Sequence, residues 1–261
     1  MQEYRTTEIY GDFYENEGKP LVVIITGSRP GLPPVSEKLM DYLIPDYNVL
    51  RLAYYGAPKL SESLEVVPLE YFINATNFIK ENYKVADNKV IFIGSSKGGE
   101  AAVLLTQYME SAITIACVAS CYVFQGLPKD VYSISQVPPK SSWSFNNKEL
   151  PYIKFEFNED DIEDTKNQYF CKIHEKSIEK NFNQEALINI DNYKGKLLLL
   201  SEENDRYWPS KKMSNMLAQN SKNKNNIRHV CLNLEGHSFL TYDESVNEII
   251  NFLNANMLFT S

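Results

Sequence analysis

Short apolar runs recur along this chain of 261 residues, at 21–25, 49–53, 90–93, 113–119 and 197–200, followed by a further expected strand at 228–234, and they limit its possible folds more than any other feature. Brief runs of this kind, bounded by turn formers, suit strands buried on both faces, because a strand with one wet face alternates apolar and polar positions. Between the runs the spacing becomes helical. Pro33-Pro34 opens a pattern that continues to Leu43, and Leu69, Phe72, Ile73, Ile79 and Tyr83 give 68–83 one apolar face. Further helices are expected over 99–109, 209–219 and 244–253. Strand and helix in alternation predict an α/β protein with a mainly parallel central sheet flanked by helices, and this length suits a single domain over 1–261.

The alternation breaks from 120 to 195, where Pro138-Pro139 and the acids Glu156, Glu159, Asp160, Asp161, Glu163 and Asp164 occur. This segment reads as a cap or lid inserted after a sheet strand, and its acids as a solvated charge run. A net charge of −8 disfavours nucleic acid and anionic membrane surfaces as partners. No stretch approaches the roughly 18 apolar residues of a membrane span, and the polar N-terminus lacks the core of a signal peptide, so a cytoplasmic location is expected. Cys117, Cys121, Cys171 and Cys231 form no CxxC pair; they read as buried structural thiols, with no metal or cofactor expected.

Sheets of this kind carry their sites beyond the carboxyl ends of the strands. After the run at 90–93, Gly94-Ser95-Ser96-Lys97-Gly98 matches G-x-S-x-G, the strand-to-helix elbow that lifts a nucleophilic serine out of the sheet. Ser96 holds the central position and Ser95 the neighbouring one. Neither the P-loop nor the dinucleotide fingerprint fits the glycine spacing. A serine hydroxyl needs an imidazole to take its proton, and His237 follows the last strand in Glu235-Gly236-His237-Ser238. His229 falls inside a strand and His174 inside the insertion, where packing and surface roles are expected.

For the acid that orients the imidazole, Asp205 in Asn204-Asp205-Arg206-Tyr207-Trp208-Pro209 is favoured over Glu202 and Glu203, because a proline soon after it starts a helix. The chain order Ser, Asp, His is that of the α/β-hydrolase fold. Stabilising an oxyanion calls for two backbone N–H donors. Lys97 supplies one; Pro30 has none to give, so Ser28 or Arg29 of the loop after 21–25 supplies the other, with Ser28 preferred.

These residues resemble a known family. Ile93-Gly94-Ser95-Ser96-Lys97-Gly98-Gly99-Glu100 is similar to the elbow of the acyl-CoA thioesterase and bile acid-CoA:amino acid N-acyltransferase C-terminal domain; Asn204 to Ser210 is similar to its acid loop and Gly236-His237 to its histidine loop. The resemblance covers roughly residues 20–253, apart from most of the insertion. It implies acyl-CoA thioester substrates, with a serine nucleophile going with hydrolysis and a cysteine with transfer to an amino acid. Arg29, Lys97, Arg206, Lys211 and Lys212 are then the cations that could meet CoA phosphates, Arg29 and Arg206 foremost. Two departures from the resemblance are expected: the segment before Leu21 reads as too short for the N-terminal β domain of the eukaryotic enzymes, and Ser28-Arg29-Pro30 stands where they have a run of glycines. A carboxylesterase of the dienelactone-hydrolase type, or a non-catalytic ligand-binding protein on the same fold, are the competing readings.

Overall fold

A computed structural model describes residues 1–257, with the backbone alone at 87 and 88. The strands are β1 (Gln2–Arg5), β2 (Tyr10–Tyr14), β3 (Lys19–Ile25), β4 (Asn48–Ala53), β5 (Val67–Pro68), β6 (Val85–Ser95), β7 (Ile113–Cys117), β8 (Trp143–Phe145), β9 (Lys148–Glu149), β10 (Lys196–Glu202) and β11 (Ile227–Leu232). Eight of them form the central sheet in the order β1-β2-β4-β3-β6-β7-β10-β11. Pairing is antiparallel through β1, β2 and β4, and parallel from β4–β3 onward. The tyrosine-rich N-terminus thus becomes a hairpin along one edge, the runs from 21–25 to 197–200 form the interior, and β11, expected over 228–234, is the half-buried strand of the other edge.

Seven α-helices accompany the strands among the described residues: α1 (Glu37–Leu43), α2 (Leu69–Asn82), α3 (Lys97–Leu105), α4 (Asp161–Lys166), α5 (Cys171–Lys180), α6 (Ser210–Asn220) and α7 (Asp243–Met257). Successive strand side chains point to opposite faces, so an unbroken apolar run supplies two cores at once. Val22, Ile24, Ile93 and Leu200 pack with Leu39 and Leu43 of α1 and with Ile249 of α7. Their neighbours Leu21, Val23, Phe92 and Leu199 pack on the other face with Phe72 of α2, Ala101 of α3 and Met213 of α6. Each such side chain contributes roughly 1.5–3 kcal/mol by leaving water. The helix expected from Pro33 starts instead at Glu37, where the Ser36 hydroxyl accepts from the Leu39 N–H at 3.2 Å.

Residues 120–195 are woven into this architecture. Phe124, Trp143, Ile153 and Ile173 share the core of α2, α3 and α6. β8 pairs in parallel with β5 and antiparallel with β9, making a small second sheet. The acids do not simply face water: lysines of α5 meet three of them, through Lys176–Asp161, Lys172–Asp164 at 3.0 Å and Lys180–Glu156 at 3.5 Å. No cluster of three or more metal-ligating side chains occurs among the described residues, and no described helix is long and apolar enough to cross a membrane. All four cysteines are free thiols; Cys117 and Cys121 are buried, whereas Cys171 and Cys231 are only half-buried, short of the burial expected for them.

Candidate active site

The junction of β6 and α3 is dictated by close backbone approach. A Cβ on Gly94 would run into the Gly98 carbonyl, and one on Gly98 into the Thr26 carbonyl, so neither position tolerates a side chain. Between them Ser96 adopts φ 57° and ψ −121°, a region that L residues occupy only when the surroundings enforce it. Its N–H donates to the Cys117 carbonyl of β7 at 2.8 Å, which pins the turn to the neighbouring strand. Ser95 instead stays in the sheet, opposite Cys117 and buried.

Ser96 Oγ lies 2.9 Å from His237 Nε2, and His237 Nδ1 lies 2.9 and 3.1 Å from the two oxygens of Asp205. A carboxylate only accepts, so Nδ1 carries the proton and Nε2 presents its lone pair to the serine hydroxyl. The Asp205 side chain is 2% exposed and that of His237 13%, so the Asp205–His237 pair is largely withdrawn from water. Asp205 Oδ1 also accepts from the Tyr207 N–H at 2.9 Å. The Tyr207 ring stacks on the imidazole at 4.6 Å and 27°, and Trp208 meets it edge-on at 6.0 Å. Trp208 is itself anchored by its indole N–H, which donates to the Val118 carbonyl at 2.8 Å.

The rival groups are engaged elsewhere. Glu202 is buried at the end of β10, where it accepts from the Leu234 N–H at 2.8 Å and the Asn204 N–H at 3.4 Å, tying the acid loop to the histidine loop. Glu203 is exposed and paired with Lys211. His229 is bound by Ser201 Oγ at 2.7 Å and Asn215 Oδ1 at 3.0 Å, and burial lowers its pKa. His174 differs from the surface role expected of it. Its Nδ1 donates to the Phe170 carbonyl at 3.0 Å, and its ring sits among Phe124, Phe155 and Trp208. Burial pushes its pKa down to about 4.

Lys97 opens α3, so its N–H has no partner within the helix. The loop after β3 passes beside Ser96: a Cβ on Gly27 would stand 3.1 Å from Ser96 Cβ. Two tyrosines following β4 orient that loop, Tyr54 donating to the Gly27 carbonyl at 2.9 Å and Tyr55 to the Ser28 carbonyl. In a trans peptide the next N–H points opposite to the carbonyl, so the Ser28 N–H is turned away from Tyr54 and the Arg29 N–H away from Tyr55.

Residues 67–241, more than half of the chain and the whole span from β5 to the histidine loop, match the family model described as BAAT / Acyl-CoA thioester hydrolase C terminal. The chain belongs to this family. Among curated proteins it is 32% identical over 82 residues to mouse (Mus musculus) acyl-coenzyme A amino acid N-acyltransferase 1, covering 31% of this chain and 20% of that protein. It is 30% identical over 95 residues to mouse acyl-coenzyme A thioesterase 2, mitochondrial, covering 36% of this chain and 21% of the other. The matched segments thus span about a fifth of these relatives. The alpha/beta hydrolase GrgF from Penicillium sp. sh18 superposes with a TM-score of 0.60 at 17% identity, over 96% of this chain and 95% of that one, which shows the α/β-hydrolase fold.

The Ser96-Lys97-Gly98-Gly99-Glu100 run has a structural use that its spacing does not reveal. The Lys97 side chain is buried, so it cannot reach a CoA phosphate; it pairs with Glu100 at 3.0 Å and donates to Ser142 Oγ at 2.8 Å. Glu100 also accepts from the Trp143 indole at 2.7 Å, so the helix behind Ser96 is bound to residues 142–143. Burial pushes Lys97 below the usual lysine range and Glu100 above the usual carboxylate range, and each charge opposes the other's shift. Arg29 is exposed, as are Lys212 and Arg206; the Arg206 guanidinium donates to the Asn167 carbonyl at 3.0 Å. Sequence reasoning missed the roles of Tyr207, Trp208, Tyr54 and Tyr55, and weighed Glu202 only as a rival acid. The aromatic pair beside Asp205 was the only one of these signals open to reading.

Proposed function

We propose that this chain hydrolyses acyl thioesters through an acyl-Ser96 intermediate. The observation that carries the reading is the hydrogen-bonded line from Ser96 Oγ through His237 to Asp205. As Ser96 Oγ attacks the thioester carbonyl, its proton passes to His237 Nε2, and buried Asp205 stabilises the imidazolium. The N–H groups of Lys97 and Ser28 receive the oxyanion, each worth on the order of 3–4 kcal/mol in such sites. Collapse of the tetrahedral species breaks the C–S bond and the imidazolium returns the proton to the departing thiolate. Water, deprotonated by the same nitrogen, then attacks the acyl carbon; the bond to Ser96 Oγ breaks, Oγ takes the proton back from the imidazolium, and the carboxylic acid leaves. No group in this cycle requires a metal or cofactor.

Hydrolysis is favoured over acyl transfer because the nucleophile is serine, in a family whose resemblance ties cysteine to transfer. The insertion at 120–195 forms the cap: Phe170 faces Tyr207 at 5.8 Å, and Phe124 and His174 line the other side of Trp208. Exposed Arg29, Arg206 and Lys212 are the cations left to meet the phosphates of a CoA leaving group, Arg29 and Arg206 foremost. Turnover of acyl-CoA esters of graded chain length should exceed that of matched p-nitrophenyl esters, with free acid as product. Ester turnover without CoA release at any chain length would favour a carboxylesterase, and an N-acyl product formed with added glycine would replace hydrolysis by transfer.

A further inference from the structure

Tyr207 joins three parts of the molecule that the proposed mechanism treats separately. Its backbone N–H holds Asp205 Oδ1 at 2.9 Å, and its ring lies flat on the imidazole of His237 with centroids 4.6 Å apart. Its hydroxyl donates to Gln168 Oε1 at 3.0 Å, and Phe170 packs against it at 5.8 Å. The same stretch is clamped from below, since the N–H groups of Phe170 and Cys171 both donate to the Arg206 carbonyl, at 2.7 and 2.9 Å. Tyr207, although 36% exposed, is therefore held in one place by the insertion on one side and the acid loop on the other.

An aromatic face carries negative potential and attracts a cation set over it, at centroid distances up to about 6 Å. Neutral imidazole gains little from that face. The imidazolium that forms when Ser96 gives up its proton gains more, so the stack favours the transition state over the resting state. We propose that Tyr207 is a positioning residue that fixes the His237 ring and stabilises its protonated form, and that Gln168 and Phe170 of the insertion keep it in place. This rests on the triad reading above. The other titratable groups facing the ring are Asp205 on the same loop, Ser96 on the elbow and, across Trp208, His174 of α5. His174, with its pKa near 4, stays neutral over the range of interest.

The test is the second-order rate of labelling by a fluorophosphonate as a function of pH, measured on the full chain, which needs no knowledge of the natural substrate. Tyr207→Leu keeps the backbone N–H and removes the face. Its plateau rate should fall a few-fold, and the acid limb should move to lower pH by about half a unit, because the imidazolium has lost a stabilising neighbour. Tyr207→Phe keeps the face and its packing on Phe170 but loses the hydrogen bond to Gln168, so its limb should stay closer to wild type than that of Tyr207→Leu. Tyr207→Trp, with a stronger face, should move the limb to higher pH and serves if the leucine variant does not fold. A limb that stays put in both the leucine and tryptophan variants, or that moves as far in Tyr207→Phe as in Tyr207→Leu, overturns the proposal. Ser96→Ala separates the two claims: if it labels like wild type, the triad reading itself is lost; if it is silent while the limb stays put, only the role of Tyr207 fails.

Discussion

Around Ser96 the main chain does the holding: Gly94 and Gly98 let strand and helix backbones touch, and the Ser96 N–H is hydrogen-bonded to β7. Around Asp205 and His237 the two loops are instead held by side chains. Glu202 bridges Asn204 and Leu234, Trp208 reaches Val118, and Tyr207 leans on Gln168 of the insertion. Ser96 is thus fixed by packing with no slack, and Asp205 and His237 by a set of separable hydrogen bonds. One side should fail all at once when altered, and the other by degrees.

Gly98→Ala should have the largest effect, because its methyl group meets the backbone carbonyl of Thr26 and neither can turn aside. We expect loss of the cooperative unfolding transition, read by circular dichroism; a folded, active Gly98→Ala would erase the contrast between the two sides. Glu202→Gln turns one of two acceptors into a donor facing a backbone N–H. A cost of about 1–3 kcal/mol in chemical denaturation is expected, with the fold kept and the labelling rate lowered. Equal losses in the two variants would show that the loops are as tightly determined as the elbow.

The smallest effect concerns His174, whose folded pKa of about 4 lies below its unfolded value of 6.5. Between these values the unfolded chain binds more protons, so stability falls as pH drops from 6.5 toward 4. His174→Phe should remove this contribution and flatten the acid side of the stability curve, by on the order of 1–2 kcal/mol near pH 5. Urea midpoints measured at pH 7 and pH 5 decide it; an unchanged slope would mean that the ring is solvated in the folded state.

The same contrast explains what could be read in advance. The sheet, its flanking helices and the positions of Ser96, Asp205 and His237 follow from local patterns: apolar runs, helical spacing, and loops that come directly after strands. The elbow is legible because its glycine spacing is a local pattern, although Gly98 is forced by Thr26, which is distant in the chain. Glu202 looked like a rival acid, since its true partners, Asn204 and Leu234, are backbone groups that no composition reveals. Lys97 looked like a phosphate ligand because its burial depends on Glu100, Ser142 and Trp143 meeting through the insertion. Long-range side-chain pairing of this sort leaves no periodic trace. The insertion broke the alternation and was visible as a break, but its weave into the core was not.

The central claim is that the Ser96 hydroxyl is the group activated by His237. Treating the protein with a fluorophosphonate and mapping the adduct by peptide mass tests it most directly. The account predicts one adduct, on Ser96, absent in Ser96→Ala and retained in Ser95→Ala. An adduct that persists in Ser96→Ala, or a wild-type protein that takes none at neutral pH, would contradict it.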